Sequence, residues 1–327
     1  MKSIRLPSWT ERILGFEPQW VPPHVFALDA HHLRYGGFTR SQSGLSFDTY
    51  RITPLPPGTF AEGPLGGPVR DVAAFTQVVR EFVEPLGPAA RRATLVLPDS
   101  WLRTVFAETE ELPAKAPQRE EVVRFKLDRL VPFRVEDLRV SFEEVKPLAG
   151  QALPSRIFVG FAIELLVAQL EEVFAGAGVS LGQITNGTMA ALCGFDVRLD
   201  ASALAALVVV DREAYTISFL TGGAPLLYRY KALGAMPEKA RGDIVRRDLR
   251  LTRSFIETHV AELSLDHVVL ALAPEQAQVP WQGWLEDALA VEVEAMAPQH
   301  LPLADGSIDL PWQEIALMVG AAASEVA

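Results

Sequence analysis

A chain of 327 residues has room for two ordinary domains, each with its own core, and its 49% hydrophobic and 22% charged residues exclude bulk disorder. A formal net charge of −11 and a pI near 5.1 exclude a general nucleic-acid binder, which needs a basic surface. The single cysteine, Cys193, cannot pair within the chain, which points to a reducing compartment; in its apolar stretch it reads as a buried packing residue rather than a nucleophile. The longest apolar run, residues 203–210, is far short of the ~20 residues of a transmembrane helix. Lys2, Arg5, Glu11 and Arg12 are not followed by a long apolar region, so no secretory signal is expected.

In chain order, residues 1–23 read as a lead-in. Ser8-Trp9-Thr10-Glu11 fits a capping box before a short helix ending at Gly15, with Trp9, Ile13, Leu14 and Phe16 expected to dock on the body. Residues 24–102 open with an apolar strand, a turn at Gly36-Gly37, a second strand and a third around 47–52. A loop rich in proline and glycine follows over 54–68, then a helix over 71–84 and a buried strand over 94–98. Residues 103–177 read as a second unit: a strand over 103–112, a helix over 118–130 ended by Pro132, and strands over 138–145 and 156–162. The clearest helix of the chain, over 164–175, closes that unit, with Gly176 and Gly178 as stop signals. Residues 178–203, a strand and a short helix, return to the first subdomain. Residues 204–327 form the second half: three strands, a long helix over 240–263, a strand, a helix, a strand, and a last helix starting at Pro311 that packs back.

The most informative pattern is a device used twice, about 180 residues apart. An apolar strand runs into Asp29, followed by Ala30-His31-His32; another runs into Asp211, followed by Arg212-Glu213-Ala214. Each leads through a short turn into a second strand, which is the layout of a two-domain nucleotide clamp. A phosphate-cradling loop needs glycine for close approach and a hydroxyl for contact, and neither turn has them. Asp29 and Asp211 would hold a magnesium ion through water in a working site; otherwise they cap their strand ends. His31 and His32 are adjacent and cannot easily share one ion on a strand, so no metal site is expected. The chain has no Walker A loop, no G-x-G-x-x-G and no G-x-S-x-G, so no catalytic residue is assigned. Arg246, Arg250 and Arg253 share a face of the long helix; such a run is usually solvated, with an acidic partner or anionic lipid as the alternative. Leu130-Val131-Pro132-Phe133 either plugs the core of the second unit or borders a peptide groove.

With these segments in order, the chain resembles the PilM-like type IV pilus assembly proteins and the related cytoplasmic region of GspL. The resemblance is carried by Leu97-Pro98-Asp99-Ser100, Leu130-Val131-Pro132-Phe133, Phe158-Val159-Gly160-Phe161-Ala162 and Ala175-Gly176-Ala177-Gly178-Val179. It implies an actin-like α/β fold, a duplicated ribonuclease H-like arrangement, with an inserted small subdomain at 103–177. It also implies a groove beside that insert for the cytoplasmic N-terminal tail of a PilN-like inner-membrane protein, with an assembly ATPase or further copies as other partners. The departures matter: Ala30-His31-His32 and Arg212-Glu213 replace the expected phosphate-binding residues, Ala271-Leu272-Ala273-Pro274-Glu275 replaces a glycine pair, and a short connection follows Tyr230 where relatives carry a subdomain. The expectation is a cytoplasmic scaffold without enzymatic activity or cofactor, held at the inner membrane through its partner. The rivals are an ATP-binding switch of the same machinery and a divergent sugar-kinase-like enzyme.

Overall fold

In the computed structural model the described residues are 24–41, 44–109, 112–145, 156–194, 203–221, 224–259, 264–297, 303 and 312–323. The lead-in and Pro311 lie outside them.

Strands β1 (His24–Leu28), β2 (His32–Ser41) and β3 (Gly44–Pro54) form a meander, and helix α1 (Val72–Val83) leads to β4 (Arg92–Leu97). Next come β5 (Arg103–Glu108), α2 (Ala116–Asp128), β6 (Leu138–Val145) and β7 (Arg156–Ile163). Helix α3 (Glu164–Gly176), strand β8 (Ser180–Asn186) and helix α4 (Gly187–Gly194) end the first half. The second half runs β9 (Ala203–Val210), β10 (Ala214–Thr221), β11 (Ala224–Ala232), α5 (Glu238–His259), β12 (Ser264–Leu272), α6 (Trp281–Leu289) and β13 (Val293–Ala295), and α7 (Trp312–Ala323) closes the chain.

The two halves repeat one topology. The first sheet has the order β3-β2-β1-β4-β8 and the second β11-β10-β9-β12-β13; in each, three antiparallel strands continue into parallel ones. Two such sheets, one per half, make the actin-like fold that the sequence resemblance implies. Alternation along the strands explains the layers. In β9, Leu204, Ala206, Val208 and Val210 face an outer core with α5 and α6, while Leu207 and Val209 face a central core shared with the first half. In β1, Val25 faces that same central core, and Phe26 and Leu28 face an outer core with α1 and α3. Helices α4 and α7 lie in the middle layer, where Gly320 lets them meet: a Cβ there would stand 2.1 Å from the Ala190 carbonyl oxygen.

Local chemistry sets the ends of the elements. Asp71 caps α1 by accepting from the Ala74 N–H at 2.9 Å. Helix α3 stops because Gly178 adopts φ +83°, which lets the Val179 N–H reach the Phe174 carbonyl at 2.8 Å.

Two expectations change. Gly36 and Gly37 are not a turn; they lie inside β2, paired with Val25 and His24 of β1, and the turn is at residues 29–31. Their smallness answers crowding: a Cβ on Gly36 would meet the Phe38 ring at 3.0 Å and Met318 Sδ of α7 at 3.4 Å, and one on Gly37 the Tyr35 hydroxyl at 3.0 Å. Helix α3, grouped by sequence with the 103–177 unit, packs through Leu166, Leu170, Val173 and Phe174 into the outer core of the first half. The three-stranded sheet β5-β7-β6 with α2 is a separate small layer with its own core. The proline-rich 54–68 loop is anchored: Leu55, Phe60 and Leu65 are buried, Leu65 within the core of the insert. Among the described residues, no helix is long and apolar enough to cross a membrane.

Candidate functional site

The two aspartate turns converge on a cavity of about 290 Å³ between the halves. Both turns are built alike. The N–H of Asp29 donates to the His32 carbonyl and that of Asp211 to the Ala214 carbonyl, each at 3.1 Å. Each aspartate then accepts from the N–H two residues on, His31 at 2.6 Å and Glu213 at 3.0 Å. His32 adds a second N–H to Asp29 Oδ1 at 2.9 Å. The N–H groups of His31, His32 and Glu213 therefore already serve the aspartates.

Arg34 of β2 completes the first turn. It donates to Asp29 Oδ2 at 2.6 Å and to Glu314 Oε2 of α7 at 3.2 Å, and Tyr50 adds its hydroxyl to that Glu314 oxygen at 3.0 Å. Burial works against the charge on Asp29, but Arg34 and the two N–H groups outweigh it and hold its carboxyl below the ordinary range. The second turn lacks such a cation. Burial and then the nearby Asp99 push Asp211 up to about 7, against the N–H bonds of its own turn. Arg212 turns instead to Glu275, at 3.5 Å. Six carboxylates thus line the cavity among apolar residues, and its two arginines, Arg34 and Arg212, are both paired.

Asp99 and Tyr228, which the sequence reading did not assign, hold the floor of this cleft. Asp99, just after β4, accepts from the Tyr228 hydroxyl of β11 at 2.7 Å and from the Thr188 N–H at 3.1 Å. Burial raises Asp99 and carries Tyr228 well above the ordinary phenol value, so the hydroxyl is the donor. The signal was half present: Asp99 stood in a family-like segment, but its partner is 129 residues away.

A second cavity, about 260 Å³, opens beside the insert, between the inner face of its sheet, α3 and β8. Gly160 and Gly182 keep it open: a Cβ on Gly160 meets only the Ser141 carbonyl oxygen at 3.9 Å, and one on Gly182 meets nothing within 4 Å. Leu181, Ile184, Val167 and Met189 give it apolar walls. At its rim Arg139 is fixed by Glu164 at 2.5 Å and Glu171 at 2.6 Å. Strand β8 ends its sheet, and an edge strand offers unpaired backbone to an extended peptide.

Leu130, Val131, Pro132 and Phe133 lie elsewhere. They sit on the α2 side of the insert, and none lines the groove. Val131 is buried and Phe133 half-buried, its ring 6.5 Å from Phe161; Leu130 and Pro132 are exposed. On α5, Arg246 meets Asp243 at 2.6 Å, Arg250 meets Asp287 at 3.0 Å and Arg253 meets Glu257 at 2.7 Å, so each of the three faces a carboxylate. Among the described residues, no group of three or more His, Cys, Asp or Glu could hold a metal ion.

No family model and no curated protein matches the sequence. A chain of a solved PilM–PilN type IV pilus biogenesis complex superposes with a TM-score of 0.71 at 19% identity, covering 94% of this chain and 99% of that one. The cytoplasmic domain of EpsL, an inner-membrane component of the type II secretion system of Vibrio cholerae, gives 0.47 at 11% identity over 91% of this chain and 93% of its own. A Bacteroides thetaiotaomicron protein with an actin-like ATPase fold gives 0.46 at 11% identity, covering 90% and 94%. The resemblance read from short segments thus extends to the fold as a whole: the chain has the architecture of a chain in the PilM–PilN complex.

Proposed function

We propose that the protein is a cytoplasmic scaffold of a type IV pilus or type II secretion-like assembly platform, whose working surface is the groove beside the insert. The groove receives the extended N-terminal tail of a PilN-like membrane partner, and that tail holds the protein at the inner membrane. The observation that carries the reading is the pair of cavities. In the cleft between the halves the N–H groups of His31, His32 and Glu213 and both arginines are engaged internally, while the groove is open over two glycines and bordered by an edge strand. The fold shared with a chain of a PilM–PilN complex supports the choice of partner. The protein has no enzymatic role in this scheme, and the cleft is a remnant of a nucleotide site.

Binding of the purified chain to N-terminal cytoplasmic tails of membrane proteins encoded beside its gene tests this. One tail is expected to bind, and Gly160→Trp, which plugs the groove without touching either aspartate turn, is expected to abolish it. Failure of every tail, or undiminished binding by G160W, contradicts the proposal. The surviving cavity between the aspartate turns favours a second reading, an ATP-binding switch of the same apparatus.

A further inference from the structure

The groove and the seam between the halves share one wall. Strand β8 becomes helix α4 across five residues, Thr185 to Met189. The outer two, Thr185 and Met189, line the groove, and the middle one, Gly187, lines the interdomain cavity. Between them Asn186 is fully buried. Its side-chain amide donates to the Leu102 carbonyl at 2.8 Å and to Thr104 Oγ1 at 3.3 Å, both groove-lining residues, and to the Tyr228 hydroxyl at 3.3 Å. Its carbonyl accepts from the Met189 N–H at 2.8 Å. Tyr228 belongs to the second half and passes the connection to Asp99. Nearby, the insert grips the same strand β11: Arg156 donates to the Leu226 carbonyl, and Arg103 lies 4.5 Å from the Tyr230 ring centre.

We propose that Asn186 is a positioning residue that couples occupancy of the groove to the latch between the halves. Filling the groove displaces Thr185 and Met189, and the Asn186 amide transmits that shift to Tyr228, loosening its bond to Asp99. In a nucleotide clamp the ligand cross-links the halves; here a side-chain latch does so, with its tension set from the groove. A buried polar network is suited to this because it has few alternative arrangements, so a shift at one member must be taken up by the others. The proposal rests on the tail-binding reading for what fills the groove, but its mechanical part can be tested without any tail.

Gly182→Phe serves as a built-in occupant, since the space beyond Gly182 is empty. Amide hydrogen exchange is then followed in the full chain. The expected result is exchange at least about tenfold faster for the β11 amides around Tyr228, a change of about 1.4 kcal/mol in local opening, and loss of that effect in G182F/N186A relative to N186A alone. If N186A does not fold, Y228F replaces it as the background. Unchanged β11 exchange in G182F, or an effect that persists without Asn186 or the Tyr228 hydroxyl, overturns the coupling. Tail capture with unchanged β11 exchange would leave the tail-binding reading standing and remove only the coupling.

Discussion

Arg34 lies between Asp29 and Glu314 with its side chain only 13% exposed, and each carboxylate depends on it for charge balance. Removing one member of such a cluster leaves the others uncompensated, so Arg34→Met is expected to cost about 3 kcal/mol in chemical denaturation. The two aspartates predict opposite responses to pH. Asp29 is held low, so its contribution is present above the ordinary carboxylate value and is lost as pH falls below it. Asp211 is raised to about 7, so its folded form favours the proton; that contribution is full below the ordinary value and is lost as pH rises toward 7. Asp211→Asn should therefore raise stability at pH 8 and flatten the loss between about pH 4 and 7 seen in thermal unfolding of the parent chain. A parent chain whose stability does not fall across that window would contradict the assigned environment. The aspartates were legible because each ends an apolar strand. Arg34, Asp99 and Tyr228 were not, since what defines them is a partner on a distant strand or helix.

At the scale of elements, periodicity predicted most of the helices and strands, and the exceptions have tertiary causes. Gly36-Gly37 has the composition of a turn, yet sits mid-strand, where Phe38 and Tyr35 of the same strand and Met318 of α7 crowd the space a side chain would take. Helix α3 follows the insert in sequence, but its apolar stripe is complementary to the first outer core, and packing decided its place. The α4–α7 crossing is the contact that most depends on a single small residue. Gly320→Val is expected to cost about 3 kcal/mol or more, because its Cβ would meet the backbone of Ala190 rather than a flexible side chain. Gly182→Ala, whose Cβ meets nothing, serves as the control and is expected to melt close to the parent chain. Equal melting of G320V and G182A would show that the two helices are not packed as described.

For the whole molecule, duplication of the strand–turn–strand device was enough to read the two-domain fold. The resemblance implied a groove beside the insert, but its lining was not readable, because it exists only where the inner face of the insert meets β8, and two glycines there carry no distinctive spacing. The sequence instead drew attention to Leu130–Phe133, apolar residues on the other side of the same small sheet. On the proposed reading the interdomain cleft has the form of a nucleotide site, but the N–H groups of His31, His32 and Glu213 and the side chains of Arg34 and Arg212 are already engaged within the protein. Titration calorimetry of the purified chain with magnesium-ATP tests it directly. No saturable heat is predicted at concentrations up to about 1 mM, whereas binding with a Kd in the micromolar range, about −8 kcal/mol, would contradict it.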